Sequence, residues 1–313
     1  MKTFSFILTP AVLMLLLAAG WTSAYKPVIL VHGVLSGPRS LKMLTGFIKK
    51  AHPGTKVTVI DLFNYGNSTK PMWKQVEGFA NVIPKIMEKS PEGVHLLCFS
   101  QEGLICRGVL STLPNHNVHS FIVLSSPLAG QYGVLDVLHK NFPLPCFSFI
   151  DCRRLETATH VFSADPHHRK QYLESSNFLP LLNGEKPHTW RKNFLRIKKL
   201  VLIGGPDDNV ITPWQSSLFG FYNHNEEVVE MKEQTFYKND TFGLKTLDTR
   251  GDISVCSQPG VKHFKWHSNK KVFDKLVLHF CFYENKELNQ SIILENGHTF
   301  SMEKSNDFQL LIV

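Results

Sequence analysis

Short apolar runs alternate with segments of helical periodicity along most of this chain. Continuous apolar runs bounded by polar or turn residues are typical of strands buried on both faces of a sheet. We predict such strands at 26–33, 56–62, 93–99, 119–125, 197–203 and 252–256. Apolar stripes at helical spacing predict helices at 40–50, 71–89 and 101–113. This alternation favours a mainly parallel sheet covered by helices on both faces.

The alternation stops between 127 and 191, where prolines, aromatic residues and two cysteines occur without a dominant period. We interpret this segment as a cap-like insertion over the carboxyl edge of the sheet, where ligands bind in open α/β folds. Residues 1–24 have the charged, apolar and small-residue regions of a secretory signal peptide. We therefore predict one α/β domain over 25–280 and a divergent tail over 281–313, with no transmembrane segment in the mature chain.

The composition is basic, with a formal net charge of +8 and 15 histidines. The lysines and arginines are scattered rather than clustered with aromatic residues, so we expect a solvated basic surface and no nucleic-acid partner. Six cysteines in an exported chain suggest disulfides, and the closest pairs are Cys98 with Cys106 and Cys146 with Cys152, which leaves Cys256 with Cys281. Three glycosylation sequons agree with export, at Asn67, Asn239 and Asn289.

The strand at 93–99 runs into Ser100 and then directly into a helix. That order is typical of a nucleophile elbow, the tight turn that raises a serine hydroxyl above a parallel sheet. The usual G-x-S-x-G frame is broken on both sides, by Cys98 and by Glu102. A serine after a strand is also a common helix N-cap, so this motif alone does not establish a nucleophile.

Candidate partners for Ser100 follow later strands in the order acid, then histidine, that such enzymes use. Asp207 and Asp208 follow the strand at 197–203, and His263 and His267 lie in the loop after the last strand. Each could be an ordinary turn or surface residue, but their joint placement at strand ends favours a serine hydrolase.

An oxyanion hole needs two backbone N–H groups, and we predict those of Gln101 and Val34. No set of residues has the spacing of a metal site, and no glycine-rich phosphate loop is complete. We therefore expect no metal and no cofactor.

At these residues the chain resembles the palmitoyl-protein thioesterase family, and within it the lysosomal second-type branch. The resemblance covers about 26–274 and is carried by eleven segments: 27–33 (PVILVHG), 98–101 (CFSQ), 124–127 (LSSP), 130–133 (GQYG), 165–168 (DPHH), 190–195 (WRKNFL), 201–208 (VLIGGPDD), 211–217 (ITPWQSS), 219–222 (FGFY), 242–246 (FGLKT) and 266–269 (WHSN).

The resemblance implies an α/β-hydrolase of the lysosome that hydrolyses thioesters of long-chain fatty acids. It implies a catalytic triad of Ser100, Asp208 and His263, and disulfides that pair Cys98 with Cys106 and Cys146 with Cys152. Cysteine at position 98 is a feature of the second-type branch.

Two features depart from the family pattern, namely Glu102, where the family has glycine, and the chain after Asp274. Glu102 could collide with neighbouring backbone and oppose the oxyanion, or point to solvent at the helix N-terminus. We predict reduced but not absent activity. The alternatives are a non-catalytic acyl-chain binder and an esterase or lipase that acts on oxygen esters.

Candidates for the acyl groove are aromatic residues that could equally be ordinary core, namely Phe142, Phe147, Phe149, Phe162 and Trp214.

Overall fold

Six parallel strands form the central sheet of the computed structural model, which describes residues 25–132, 164–186 and 189–278. The strands are β1 (Val28–Val31), β2 (Val57–Val59), β3 (Val94–Phe99), β4 (Val118–Leu124), β5 (Lys199–Gly204) and, after a small hairpin formed by β6 (Phe221–Tyr222) and β7 (Val228–Val229), β8 (Ile253–Ser257). Their order across the sheet is β2-β1-β3-β4-β5-β8, and every neighbouring pair is parallel. All six predicted strands are confirmed.

Alternate residues of the central strands belong to two separate apolar clusters, one on each face of the sheet. Leu96 and Cys98 of β3 lie in one cluster, and Leu97 and Phe99 lie in the other. Both sets are nearly inaccessible to solvent. Burial on both faces explains why these strands are continuous apolar runs instead of alternating polar and apolar positions.

Three helices cover the sheet near the positions that the periodicity predicts, namely α1 (Lys42–Ala51), α2 (Met72–Met87) and α3 (Gln101–Thr112). Helices α2 and α3 pack in the first cluster, whereas α1 packs in the second with the π-helical turn Phe273–Val277. The prediction of helices on both faces is therefore confirmed.

Shorter elements fill the rest of the described chain. These are α4 (Arg169–Ser175), α5 (Leu179–Leu182), α6 (Arg191–Phe194), α7 (Thr235–Lys238), α8 (Leu244–Thr249) and α9 (Lys270–Val272), with 3-10 turns at Pro38–Leu41, Tyr65–Thr69, Trp214–Leu218, Met231–Glu233 and His263–Lys265. The periodicity did not predict the β6–β7 hairpin or α7 and α8, because elements this short lack a full apolar period.

Part of the predicted organisation lies outside the described residues, including the signal peptide at 1–24, the tail at 281–313 and most of the insertion at 127–191. The division into domains therefore stays a prediction. Within 25–132, 164–186 and 189–278, none of the helices is long and apolar enough to cross a membrane.

Candidate active site

The turn between β3 and α3 holds Ser100 in a backbone conformation that residues with side chains rarely adopt. Its φ is 59° and its ψ is −135°, and non-glycine residues with positive φ are often found where strain serves a function. The Ser100 N–H donates to Leu124 O of the adjacent strand at 3.0 Å, and Gly103 N–H donates back to Ser100 O at 3.0 Å. The nucleophile-elbow geometry is therefore present despite the missing glycine frame.

Ser100, His263 and Asp208 form one hydrogen-bonded chain at the carboxyl edge of the sheet. Ser100 Oγ lies 2.9 Å from His263 Nε2, and His263 Nδ1 lies 2.9 Å from Asp208 Oδ2 and 3.1 Å from Oδ1. An imidazole protonated on Nδ1 satisfies both contacts, because it donates to the carboxylate and accepts from the hydroxyl. This arrangement can remove the serine proton as the hydroxyl attacks an electrophile.

The carboxylate of Asp208 is saturated with hydrogen bonds. Its oxygens accept from five groups, the backbone N–H of Val210 and Ile211 (2.9 Å each), Trp266 Nε1 (2.8 Å), His263 Nδ1 and the Ser125 hydroxyl. Burial alone raises the pKa of this carboxyl, but hydrogen bonds and the nearby imidazole outweigh burial and hold its pKa below the ordinary 3.8. Asp208 is therefore poised to stay ionised beside His263.

Asp207 and His267, the two alternatives that the residue pattern left open, are not part of this hydrogen-bonded chain. Asp207 Oδ2 accepts a hydrogen bond from Gly260 N–H at 2.6 Å, so it braces the loop that carries His263. The His267 ring lies edge-on to Phe99, with ring centroids 4.9 Å apart. Burial, followed by the proximity of His263, lowers the pKa of His267 to about 4. The geometry thus joins Asp208 and His263, and not their neighbours, to Ser100.

The loop after β1 lies directly against the elbow. Gly33 is required at this approach, because a Cβ at that position would lie 2.8 Å from the Phe99 ring. In the same loop Leu35 N–H donates to Ser68 Oγ at 2.7 Å. The N–H groups of Val34 and Gln101 have no hydrogen-bond partner within the described ranges, so both remain available as donors to an oxyanion.

Glu102 is fully buried, which overturns the expectation that it could point to solvent. Helix α3 is buried on every side from Gln101 to Ser111, so position 102 has no solvent-facing direction. Neither carboxyl oxygen of Glu102 has a hydrogen-bond partner in the described part of the chain. Burial raises its pKa well above the ordinary 4.5 and outweighs the smaller, opposing influence of the residue's own backbone N–H.

The disulfide between Cys98 and Cys106 is confirmed, and it ties the end of β3 to the second turn of α3. Cys256 forms no disulfide with another described residue. The remaining cysteines, Cys146, Cys152 and Cys281, lie outside the described ranges, so their pairings stay predictions. Of the sequon asparagines, Asn67 and Asn239 are exposed, and Asn289 is not described.

Two residues at the site were not predicted from the residue pattern. The Ser125 hydroxyl donates to Asp208, and Trp266 caps the same oxygen through its indole N–H. Both occur in segments that carry the family resemblance, which is the only signal in the sequence that could have identified them.

The acyl-groove candidates are only partly described. Trp214 packs against the first apolar cluster, which favours its interpretation as core, while Phe142, Phe147, Phe149 and Phe162 lie outside the described ranges. No cluster of histidine, cysteine or acidic residues within 25–132, 164–186 and 189–278 could hold a metal ion.

Comparison with solved structures finds distant similarity to hydrolases. The lipase BlEst2 of Bacillus licheniformis superposes with a TM-score of 0.47 at 14% identity, covering 83% of this chain and 93% of that one.

Comparison with known sequences finds much stronger similarity. The chain is 52% identical over 263 residues to the lysosomal thioesterase PPT2 of Rattus norvegicus, covering 81% of this chain and 87% of the relative. It is 50% identical over 282 residues to the human PPT2, covering 87% and 93%, and 38% identical over 263 residues to the Drosophila melanogaster homolog, covering 81% and 91%. The family model for palmitoyl protein thioesterase matches residues 27–263. The chain therefore belongs to the palmitoyl protein thioesterase family and has the α/β-hydrolase fold.

Proposed function

We propose that this protein hydrolyses long-chain fatty acyl thioesters, such as palmitoyl-CoA, through an acyl-enzyme on Ser100. One observation carries the proposal, namely the hydrogen-bonded chain from Ser100 through His263 to Asp208 in a member of the palmitoyl protein thioesterase family. No metal or cofactor takes part in the proposed reaction.

The first half of the reaction forms the acyl-enzyme. His263 Nε2 takes the proton of Ser100 Oγ, which lies 2.9 Å away, as the oxygen attacks the thioester carbonyl carbon. The resulting oxyanion accepts hydrogen bonds from the N–H groups of Val34 and Gln101. Collapse of the tetrahedral intermediate breaks the carbon–sulfur bond, His263 gives its proton to the sulfur, and the thiol leaves.

The second half releases the fatty acid. His263 removes a proton from water, and the hydroxide attacks the acyl carbon of Ser100. The new oxyanion occupies the same hole, and its collapse returns the proton from His263 to Ser100 Oγ. Asp208 stabilises the imidazolium in both halves, since its low pKa keeps it ionised when the enzyme works in an acidic compartment.

Glu102 restricts this activity only when it is ionised. Its raised pKa keeps the buried side chain neutral at acidic pH, where it adds no negative charge near the oxyanion donor Gln101. The contact between Ser100 and His263 is intact despite the larger side chain. The predicted reduction of activity therefore applies to the pH range in which Glu102 loses its proton.

The low pKa of Asp208 and the raised pKa of Glu102 both suit work in an acidic organelle of the secretory pathway. Three relatives that match most of this chain are named lysosomal thioesterases, and two sequon asparagines, Asn67 and Asn239, are exposed. We infer a lysosomal location, reached through the signal peptide at 1–24.

The direct test is release of CoA from palmitoyl-CoA by the wild type, Ser100→Ala and Ser126→Ala. Ser126 is a buried serine whose hydroxyl has no hydrogen-bond partner in the described part of the chain, so it serves as the matched control. We expect Ser100→Ala to lose at least about 10³-fold of turnover and Ser126→Ala to retain it. Equal turnover in wild type and Ser100→Ala refutes the proposal.

Two other outcomes identify the alternatives. Palmitoyl-CoA binding without turnover in the wild type favours an acyl-chain binder. Faster hydrolysis of a matched oxygen ester than of the thioester favours an esterase or lipase. Glu102→Gly tests the elbow argument in the same assay, because it restores the family's residue. We expect its advantage over the wild type to increase with pH, and equal rates at every pH refute that argument.

A further inference from the structure

Ser125 lies at the carboxyl end of β4, immediately after Leu124, and is fully buried. Its backbone has a φ of 44°, which is uncommon for a residue with a side chain. The Ser125 N–H donates to Ile203 O of β5 at 2.7 Å, so the neighbouring strand fixes this backbone. Residues held in such conformations cluster at functional sites, where the surrounding structure maintains them.

The Ser125 hydroxyl contacts both the acid and the base of the proposed triad. Its Oγ donates to Asp208 Oδ2 and lies 3.3 Å from His263 Nδ1. The hydroxyl therefore lies beside the acid–base contact, in which Nδ1 and Oδ2 are 2.9 Å apart. Ser100 contacts the opposite ring nitrogen, Nε2, so Ser125 and the nucleophile lie at different nitrogens of the imidazole.

We propose that Ser125 is a positioning residue that sets the basicity of His263 by sharing the negative charge of Asp208. The proposal rests on the proposed function, because it assigns His263 as the base. A hydrogen bond to a carboxylate stabilises its charge and lowers the field that it exerts on a neighbouring cation. With the Ser125 bond in place, Asp208 therefore stabilises the imidazolium less.

This effect suits a base that works in an acidic compartment. His263 must be unprotonated to accept the proton of Ser100. Without the Ser125 hydrogen bond, Asp208 would favour the imidazolium more strongly and reduce the fraction of active enzyme at acidic pH. Ser125 thus extends the activity towards lower pH.

Other ionisable groups around His263 do not replace this contact. Asp207 on the β5 loop is bonded to Gly260 N–H, and Glu102 on α3 is a buried acid with a raised pKa. On the loop of His263 itself, Lys262 and Lys265 are exposed, and the low pKa of His267 keeps it neutral above about pH 4.

The next residue provides a matched control. Ser126 is also fully buried, but its hydroxyl has no hydrogen-bond partner in 25–132, 164–186 or 189–278. Removing either hydroxyl deletes one buried oxygen from the same short segment. Only the Ser125 deletion removes a contact to Asp208 and His263.

The test is the pH dependence of inactivation by an alkyl fluorophosphonate. In that reaction Ser100 Oγ bonds to phosphorus, fluoride leaves, and His263 takes the serine proton, so the rate reports the protonation of His263 without any thioester. We compare wild type, Ser125→Ala, Ser125→Gly and Ser126→Ala. Glycine tolerates the positive φ at position 125, so one variant lacks the hydroxyl without a backbone penalty.

We expect the acid limb of the rate profile to move to higher pH by at least about half a unit in both Ser125 variants, which lowers the rate below the limb about threefold. Ser126→Ala should match the wild type. An unmoved limb in Ser125→Gly overturns the proposal, even if the maximal rate falls. If the wild type reacts with the probe but releases no CoA from palmitoyl-CoA, the proposed function is refuted. The acid limb of the inactivation profile then still tests the role of Ser125.

Discussion

Glu102→Gln provides the sharpest test of the buried acid beside the elbow. Glutamine has nearly the same shape and remains polar, but it cannot ionise. Well below pH 4.5 the Glu102 carboxyl is neutral in both the folded and the unfolded chain, so the two proteins should differ little there in their free energy of unfolding. The substitution therefore isolates the energetic effect of ionisation.

The sign of the effect follows from the direction of the pKa shift. Burial raises the folded-state pKa of Glu102 above 4.5, so on raising the pH the unfolded chain loses this proton first. The wild type therefore loses stability relative to Glu102→Gln as the pH rises above 4.5. The loss stops once the pH passes the folded-state pKa of Glu102. Since one proton is involved, the loss is at most about 1.4 kcal/mol per pH unit. That is a sizeable fraction of a typical stability of roughly 5–15 kcal/mol.

The assay is urea unfolding of both proteins at half-unit steps from pH 4 to pH 8. Other titrating groups are common to both proteins and cancel in the difference. We expect Glu102→Gln to become progressively more stable than the wild type above pH 4.5, and then to hold a constant advantage. Parallel curves over the whole range would refute the conclusion that Glu102 is a buried neutral acid.

Glu102→Met is the companion variant, because it replaces the carboxyl with an apolar group of similar length. It removes two oxygens that lack hydrogen-bond partners in the described part of the chain. A buried unsatisfied polar group costs about 1–3 kcal/mol, so we expect Glu102→Met to exceed the wild type in stability by that order even at pH 4. A less stable variant at pH 4 would indicate that the carboxyl has a partner.

Three further predictions concern the neighbouring groups. Replacing both Cys98 and Cys106 with alanine opens a bridge that spans a sequence separation of 8, and should lower the free energy of unfolding in urea by about 2.6 kcal/mol; an unchanged value would contradict the bridge. Asp208→Asn should reduce kcat for palmitoyl-CoA by on the order of 10³–10⁴, whereas Asp207→Asn, which loses only a loop contact, should cost less than about tenfold; similar losses would refute the assignment. The pKa of His267 falls from 6.5 in the unfolded chain to about 4 in the folded chain, so the stabilisation by its neutral form is lost as the pH drops through that window. His267→Leu should remove up to about 1.4 kcal/mol per pH unit of this acid sensitivity. An unaltered pH slope in urea unfolding would contradict a half-buried, neutral imidazole at this position.

The centre of the sheet was predictable because β1, β3, β4 and β5 are buried on both faces. A run such as Leu96–Phe99 places alternate residues in two apolar clusters, so the sequence has no polar face to confuse the assignment. The Ser100 elbow was predictable for a related reason, since one apolar strand leads through a serine into a helix. The short hairpin at β6 and β7 offers no comparable signal, because two-residue strands have no period.

Which side chains complete the site depends on how neighbouring strands and loops pack together. Asp207 and Asp208 are adjacent in sequence, and only the path of the β5 loop decides which reaches His263. Ser125 contacts Asp208 because β4 and β5 are neighbours in the sheet, a fact that no local pattern encodes. The burial of Glu102 comes from the packing of α3, which is buried from Gln101 to Ser111 although it carries several polar residues.

The most direct test of the proposed reaction is detection of the acyl-enzyme itself. Wild type and Ser100→Ala are mixed with palmitoyl-CoA, quenched with acid within milliseconds to seconds, digested and analysed by mass spectrometry. The account predicts a palmitoyl group on Ser100 of the wild type, formed together with an equivalent burst of CoA and lost at the rate of steady-state turnover. Release of CoA at the same rate from Ser100→Ala, or a wild type whose acyl group is attached to another residue, would contradict it.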